Sequence, residues 1–411
     1  MQDQVIRPKA TVLDEAPTRS YRVLMIAPTS FFADYGCHVR ILEEARVLQK
    51  LGHRVTICTY YTGRNLPDLD IRRTLSIPWR RDYEVGSSRH KIAFDMLLSW
   101  RALQTMAQVK PDIIHAHLHE GALIGKVLSK LWGVPLVFDF QGSMTSEMVD
   151  HRFLSPNGPT FPAWRRLEEW IDHLAPFILT SSAQAVDLLV NEFRCPRDKI
   201  RNVPDGVNTD FFAPRPRDED WHQLKRAWGI PRERQVVIYL GLLAEYQGIS
   251  HLLQAARLLA ERRDDVHWVI GGYPHVEYYR QMAGELGLAE RVTFLGKVPY
   301  EDAPRILSLG DIAVSPKLSK TEGAGKLLNY MAMALPTVTF DTDVSREYLA
   351  EYGLYAARGE SADLARCIET LLDQPQRRAE LGAALRRRAQ ECFAWELAGK
   401  KILEVYAAMT R

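Results

Sequence analysis

The 411-residue chain has no CxxC pair, and its five cysteines (Cys37, Cys58, Cys195, Cys367 and Cys392) are scattered and odd in number. That argues against a disulfide framework and for reduced thiols in a cytoplasmic protein. No uninterrupted apolar run reaches the length that spans a bilayer. The opening MQDQVIRPKATVLDEAPTRS lacks an apolar core, so it is not expected to be a signal peptide; residues 1–20 read as a flexible lead-in. Neither sign of charge dominates: 53 Lys and Arg against 51 Asp and Glu give +2, which makes no case for nucleic-acid binding. The loop after the first strand also lacks GxGxxG, which argues against an ordinary dinucleotide site.

At this length two domains are expected, and an ordinary apolar and charged composition makes them globular. Tyr21–Pro28 is a buried strand by its apolar run. A loop and a helix through Lys50 follow, with Ile41, Leu42, Ala45 and Leu48 on one face, and then the strand Arg54–Tyr60. This βαβ unit implies a parallel sheet. Residues 62–91 are less regular and rich in arginine, and Ile92–Met106 carries an apolar helical face. That pairing suggests either contact with an anionic membrane surface or a phosphorylated acceptor, or else a solvated loop and a docked helix. PDIIHAHL is a strand on which His115, His117 and His119 alternate. The spacing is passable for a metal, but no carboxylate or thiol pattern accompanies it, and a cleft-lining role at the strand's end suits one of them better. Phe211–Asp220, rich in proline and charge, is the candidate linker, and a second α/β series follows it. Two doubly wound units would then face each other across a cleft lined by strand C-termini.

Pro316–Asp343 carries the strongest local signal: strand end, glycine-rich turn, short helix, buried strand. The turn Glu322-Gly323-Ala324-Gly325 feeds a helix beginning near Lys326, with Leu327, Leu328, Met331 and Ala334 at helical spacing. Unpaired N–H groups at a helix N-terminus suit a phosphate, and glycine permits close approach. Glu322 beside the turn would accept sugar hydroxyls; the alternative is an ordinary βα turn with a surface glutamate.

The order and spacing of these segments resemble glycosyltransferase family 4, of the GT-B fold, from Tyr21 nearly to the C-terminus. The carriers are a first-loop glycine followed by HVRILEEARVLQKLGHRVTI, then PDIIHAHLHEGAL, VPDGVNTDFF, GLLAEYQGISHLLQA, EGAGKLLNYMA and the terminal FAWE. The resemblance implies two Rossmann-like domains, an acceptor-side one over 21–209 and a nucleotide-sugar-binding one over 210–392, with 393–411 packing back on the first. It implies a cytoplasmic retaining hexosyltransferase with no cofactor and no metal, using a UDP- or GDP-linked sugar as donor. A glycan, a lipid-linked molecule or a small molecule would be the acceptor. Asp341-Thr342-Asp343 spells the DxD of the other, metal-dependent transferase fold, but its position makes it an incidental loop.

By position in the motifs, Glu322 matches the first glutamate of the family's pair and would bind donor-sugar hydroxyls. Gly323, Ala324 and Gly325 would offer N–H groups to the diphosphate, Gly36 would let the first loop approach it, and Val298 would meet the nucleobase through its backbone. His117 matches the cleft-facing histidine, and Gln141 and Ser143 are acceptor-side candidates. The second glutamate is absent: aligning on the following Met-Ala puts Asn329 there, and counting from Glu322 puts Tyr330 there. The Arg and Lys that usually grip the diphosphate are replaced by Leu242 and Gln247. Lys326, or Lys317 or Lys320, would restore the charge, and Lys326 is the expected choice. These losses also motivate an alternative, a non-catalytic GT-B protein that binds a nucleotide or sugar or scaffolds glycan assembly.

Overall fold

Strands covered on both faces read as nearly continuous apolar runs rather than alternating ones. RVLMIA is such a run, forming β1 (Arg22–Ala27) with every residue after Arg22 buried. The computed structural model describes residues 19–33, 36–76, 91–150, 153–318 and 324–410. The first sheet adds β2 (Arg54–Thr59), β3 (Asp70–Arg73), β4 (Ile113–His117), β5 (Leu136–Phe140), β6 (Phe177–Thr180) and β7 (Ile200–Asn202). Its order is β3-β2-β1-β4-β5-β6-β7, all parallel. The second sheet contains β8 (Gln235–Leu240), β9 (Val266–Gly271), β10 (Val292–Gly296), β11 (Ile312–Ser315), β12 (Thr337–Phe340) and β13 (Leu354–Ala356). Its order is β10-β9-β8-β11-β12-β13, again all parallel. Strand order reverses between β1 and β4 and between β8 and β11, and α/β sheets bind ligands beyond the strand ends at such points.

The helices of the first half are α1 (Gly36–Lys50), α2 (Lys91–Val109), α3 (Leu118–Trp132), α4 (Met144–Asp150), α5 (Phe161–Asp172) and α6 (Ala183–Asn191). Those of the second are α7 (Glu219–Ala227), α8 (Ile249–Ala260), α9 (Val276–Glu285), α10 (Ala303–Leu307), α11 (Gly325–Ala332), α12 (Asp343–Leu349), α13 (Ser361–Leu372), α14 (Pro375–Cys392) and α15 (Trp395–Met409). Phe94, Leu98, Leu128 and Ile171 bring α2, α3 and α5 onto one face of the first sheet. Leu42, Leu48, Ile402 and Tyr406 bring α1 and α15 onto the other. On the second sheet α8, α9 and α13 bury Leu252, Tyr279 and Ile368 together, and α11 and α14 bury Leu328 and Leu385 in the same cluster as α1 and α15. One apolar cluster therefore runs through both halves. No helix among the described residues is long and apolar enough to cross a membrane, and the five cysteines form no disulfide.

The chain crosses between the sheets twice, and the crossings run side by side: Val207 N–H donates to the Phe393 carbonyl at 2.8 Å. α15 then lies along α1, where Gly399 faces Val47 and Leu51 so closely that a Cβ would come within 2.9 Å of each. At Gly206 a Cβ would meet the Trp395 ring at 2.8 Å. Gly206→Ala is accordingly expected to destabilise the fold by about 1–3 kcal/mol through overpacking. A lower urea midpoint with an unchanged slope would show it.

Several short elements differ from the sequence reading. The irregular segment 62–91 contains β3, whose DIRR has one apolar residue and so no strand period. The seven-residue α4 is too short to display a helical one. The linker stretch is partly ordered, because Phe211 stacks on Tyr300 at 5.6 Å, Phe212 is buried, and α7 begins at Glu219. Asp341-Thr342-Asp343 builds a helix start: Thr342 caps α12 in a capping box, and Arg346 holds the Asp341 carboxylate at 2.7 Å.

Candidate functional site

β4 ends at His117, and the next residue turns sharply, Leu118 having φ +61°. A branched side chain rarely adopts that region, and such outliers gather at functional sites. The turn separates histidines that the strand alternation had grouped. His115 and His117 share a face with their rings stacked at 4.6 Å. His119, already in α3, lies edge-on to Phe138 and Phe140 with Nε2 at 3.2 Å from Asp172 Oδ1. The three therefore make no single ligand set.

Beneath His117 lies a buried charged network. His117 Nδ1 pairs with Asp139 Oδ2 at 3.0 Å, and Gln141 Nε2 donates to the same oxygen at 2.7 Å. Arg40 grips Asp139 through Nε at 3.1 Å to both oxygens and a terminal nitrogen at 2.8 Å. It also reaches Glu44 at 3.0 Å, Asp205 at 2.8 Å and the Val203 carbonyl at 3.2 Å. His115 Nδ1 meets the Tyr406 hydroxyl of α15 at 2.7 Å. Glu44, His115, His117 and Asp139 converge closely enough to surround a cation, and the cation among them is the Arg40 guanidinium. Burial alone would raise the Asp139 pKa, but Arg40 and His117 outweigh it and hold the carboxyl below its usual range. Burial and neighbouring Asp139 push Glu44 well above its ordinary value despite Arg40. Burial, with His117 alongside, keeps His115 neutral. With His117 Nδ1 turned to Asp139, its Nε2 lies on the other side of the ring, buried and without a hydrogen-bond partner among the described residues.

The first loop is tied down by His38, which entered the sequence analysis only as the first residue of HVRILEEARVLQKLGHRVTI. Its Nδ1 accepts the Ala33 N–H at 2.9 Å, so Nε2 carries the proton and donates to Thr29 Oγ1 at 2.6 Å. Gly36 opens α1 at φ +42° with open space around it. From the second half, Tyr273 donates to the Ala33 carbonyl at 3.2 Å and Tyr300 to Glu43 Oε1 at 3.0 Å. Ser143 is buried and caps α4, its hydroxyl accepting the Ser146 N–H at 3.2 Å, while Gln141 is half-buried beside His117.

Across the gap, the loop after β8 is pressed against its neighbours. A Cβ on Gly248, at φ +77°, or on Gly272 would fall 1.8 Å from a carbonyl oxygen. Here Lys326 reaches over from α11: its Nζ donates to Gln247 Oε1 at 2.6 Å and to the Tyr239 hydroxyl at 2.8 Å, and lies 4.4 Å from that ring's centroid. The ammonium thus stands beside one of the positions where the family pattern has its missing cations. Ala324, the N-cap of α11, makes no side-chain cap, no other cap is seen among the described residues, Leu327 N–H turns back to the Ala324 carbonyl at 2.8 Å, and Gly325 is exposed. Lys317 is buried. Tyr330 is wholly buried, and its hydroxyl accepts the Leu240 N–H at 3.0 Å, which removes it from the cleft surface; Asn329, half-buried, is the one of the pair with solvent access. Val298 is half-buried, a Cβ on Gly271 falling 3.2 Å from its Cγ2. Glu322, Gly323 and Lys320 lie outside the described residues.

Two family descriptions divide the chain as the sheets do: Glycosyltransferase Family 4 matches residues 36–211 and Glycosyl transferases group 1 matches residues 221–388. The chain belongs to glycosyltransferase family 4. Its relatives include a D-inositol 3-phosphate glycosyltransferase of Corynebacterium aurimucosum, 28% identical over 389 residues and 90% of each chain. Among solved structures, sucrose-phosphate synthase from Thermosynechococcus elongatus superposes with TM-score 0.77 at 19% identity, covering 95% of this chain and 99% of that one. Anabaena Alr3699/HepE in complex with UDP-glucose gives 0.73 at 17%, covering 94% and 100%. As a family 4 glycosyltransferase, the protein has the GT-B fold, with two parallel-sheet α/β domains.

Missed by the sequence reading were Arg40, Glu44 and Asp139. Each carried a signal: Arg40 and Glu44 adjoin the apolar stripe of α1, and Asp139 interrupts the buried run LVFDF.

Proposed function

We propose that the protein moves a hexosyl group from a nucleotide-diphosphate sugar, UDP- or GDP-linked, to an acceptor with retention and without a metal. One observation carries this reading: Lys326 delivers its ammonium to the side chain of Gln247, beside the start of α11, where the N-cap Ala324 makes no side-chain cap. A diphosphate at that helix start would meet backbone N–H groups of Ala324 and Gly325, the positive end of the macrodipole and a full charge. These groups would stabilise the leaving nucleotide, which is where charge develops as the glycosidic bond breaks. Across the cleft His117 Nε2 would accept a hydroxyl of the transferred sugar, and the acceptor would attack on the face the nucleotide leaves. Glu322 would hold other hydroxyls of that sugar, and Asn329 the ribose. Val298 and Gly36 would border the base and the phosphates, with Gln141 and the loop at Ser143 on the acceptor side. A cytoplasmic setting, with peripheral membrane contact, accords with the unpaired cysteines and the absence of a spanning helix among the described residues.

Lys326→Ala is expected to weaken UDP or GDP binding roughly tenfold or more, the scale of one lost charged contact. Lys326→Arg should recover part of it. Calorimetric titration with EDTA present reads both, and an Ala variant that binds as tightly as the parent would remove Lys326 from the site.

A further inference from the structure

Helices α2, α3 and α5 lie side by side on the outer face of the first sheet. Their inner sides fill the core, so their outer sides should be polar. They are not. Ile92, Met96 and Trp100 follow one another along α2 at 72%, 70% and 57% exposure, Leu131 extends the face on α3, and Trp164 and Trp170 extend it on α5. These helices hold nine of the fifteen large hydrophobic side chains exposed among the described residues. Exposed apolar side chains concentrated on three adjoining helices point to an interaction site rather than ordinary surface scatter.

The charges identify the partner. None of the carboxylates on the three helices occupies an exposed position. Asp95 accepts the Tyr60 hydroxyl at 2.5 Å and burial pushes its pKa up to about 7; Glu120 pairs with Lys91; Glu168 and Asp172 are buried. The charged residues that are exposed there are Lys130 and Arg166, both cations. Glu169 is half-buried, and the one exposed carboxylate seen against these helices among the described residues, Glu192, is paired with Arg165. An apolar face bearing several tryptophans, whose exposed charges on the three helices themselves are both cations, matches the boundary between headgroups and acyl chains of an anionic bilayer. A soluble protein partner of ordinary composition would instead be met by charges of both signs.

We propose that the α2–α3–α5 face docks the protein on an anionic membrane surface. Glu168 of α5 accepts the N–H groups of Met144 and Thr145, and α3 begins directly after His117, so this face is joined to the acceptor-side loops. Resting on the transferase reading, a lipid-linked acceptor follows from that continuity; the docking itself does not depend on it.

The test is co-sedimentation of the full chain with vesicles of phosphatidylcholine alone or mixed with phosphatidylglycerol. Two surface cations predict roughly tenfold or greater enrichment on the anionic vesicles at low salt. Lys130→Glu with Arg166→Glu should abolish that preference, and Trp100→Glu with Trp170→Glu should abolish sedimentation itself. All four positions are exposed, and circular dichroism with nucleotide titration establishes that each variant is folded. The proposal is overturned if the parent chain stays in the supernatant with both vesicles, or if the tryptophan variants sediment as the parent does. It is equally overturned if analytical ultracentrifugation finds a dimer that the tryptophan changes dissociate, since the face would then join two copies. Nucleotide binding that survives in non-binding variants separates failure of docking from failure of the transferase reading.

Discussion

Arg40→Met should lower the stability of the protein by about 3–5 kcal/mol, the cost of removing one partner from a buried ion pair. Arg40 is 4% exposed, and Asp139 and Glu44 are wholly buried. Without the guanidinium, the Asp139 carboxylate would stand in a low-dielectric interior without its main counter-charge, beside Glu44, whose pKa is already raised, and the Val203 carbonyl would lose a donor. At roughly 2–4 °C per kcal/mol for a domain of this size, the melting temperature should fall by about 6–20 °C. The companion experiment exchanges the buried members, Arg40→Met with Glu44→Gln and Asp139→Asn, which should restore much of the loss because the one carboxylate left without Arg40, Asp205, is partly exposed to water. A single variant that melts within about 2 °C of the parent would mean that water reaches the network. The same geometry fixes a pH dependence. The folded pKa of Asp139 is depressed, so its contribution is complete above the unfolded carboxylate value of about 3.9 and is lost as pH falls below it toward the folded value.

That network also explains what was legible in the chain and what was not. β1, β5 and α15 are strongly patterned elements, and their apolar residues show where they bury. β3 and α4 are held by neighbours, β3 by pairing with β2 and α4 by Glu168, so nothing in their own residues marks them. The same distinction holds at the site. His117 and the turn before Lys326 stand out because histidine at a strand end and glycine before a helix are locally unusual. Arg40, Asp139 and Asp205 lie far apart along the chain and meet only when the first sheet and the crossing after β7 are assembled. A charge buried by tertiary packing is visible in sequence only as a misfit in an apolar pattern. Tyr330 illustrates the opposite error: counting residues brought it to the cleft, and the packing of α11 under β8 turned it inward instead.

The two halves of the cleft also divide the chemistry in a way that experiment can separate. In the proposed reading Lys326 and the α11 start hold the diphosphate, whereas Glu322 holds the sugar that the diphosphate carries. Glu322→Gln keeps the size of the side chain and removes its charge, so a hydroxyl donated to it would lose a charge-assisted hydrogen bond. If that bond tightens as the glycosidic bond breaks, the loss falls on the reaction more than on binding, and on the order of 100-fold in kcat/KM is expected. Slow hydrolysis of a UDP- or GDP-sugar in water reads this without knowledge of the acceptor. UDP itself lacks the hexosyl group that Glu322 would hold, so its affinity should change by less than about threefold, against roughly tenfold for Lys326→Ala. Because the two side chains would touch different parts of one donor, their effects on donor binding should multiply, and a strong departure would reveal a shared contact. A Glu322→Gln enzyme hydrolysing the donor at the parent's rate would detach this residue from the sugar. Hydrolysis absent from the parent itself, with nucleotide binding intact, would instead make the protein a binder built on a transferase fold.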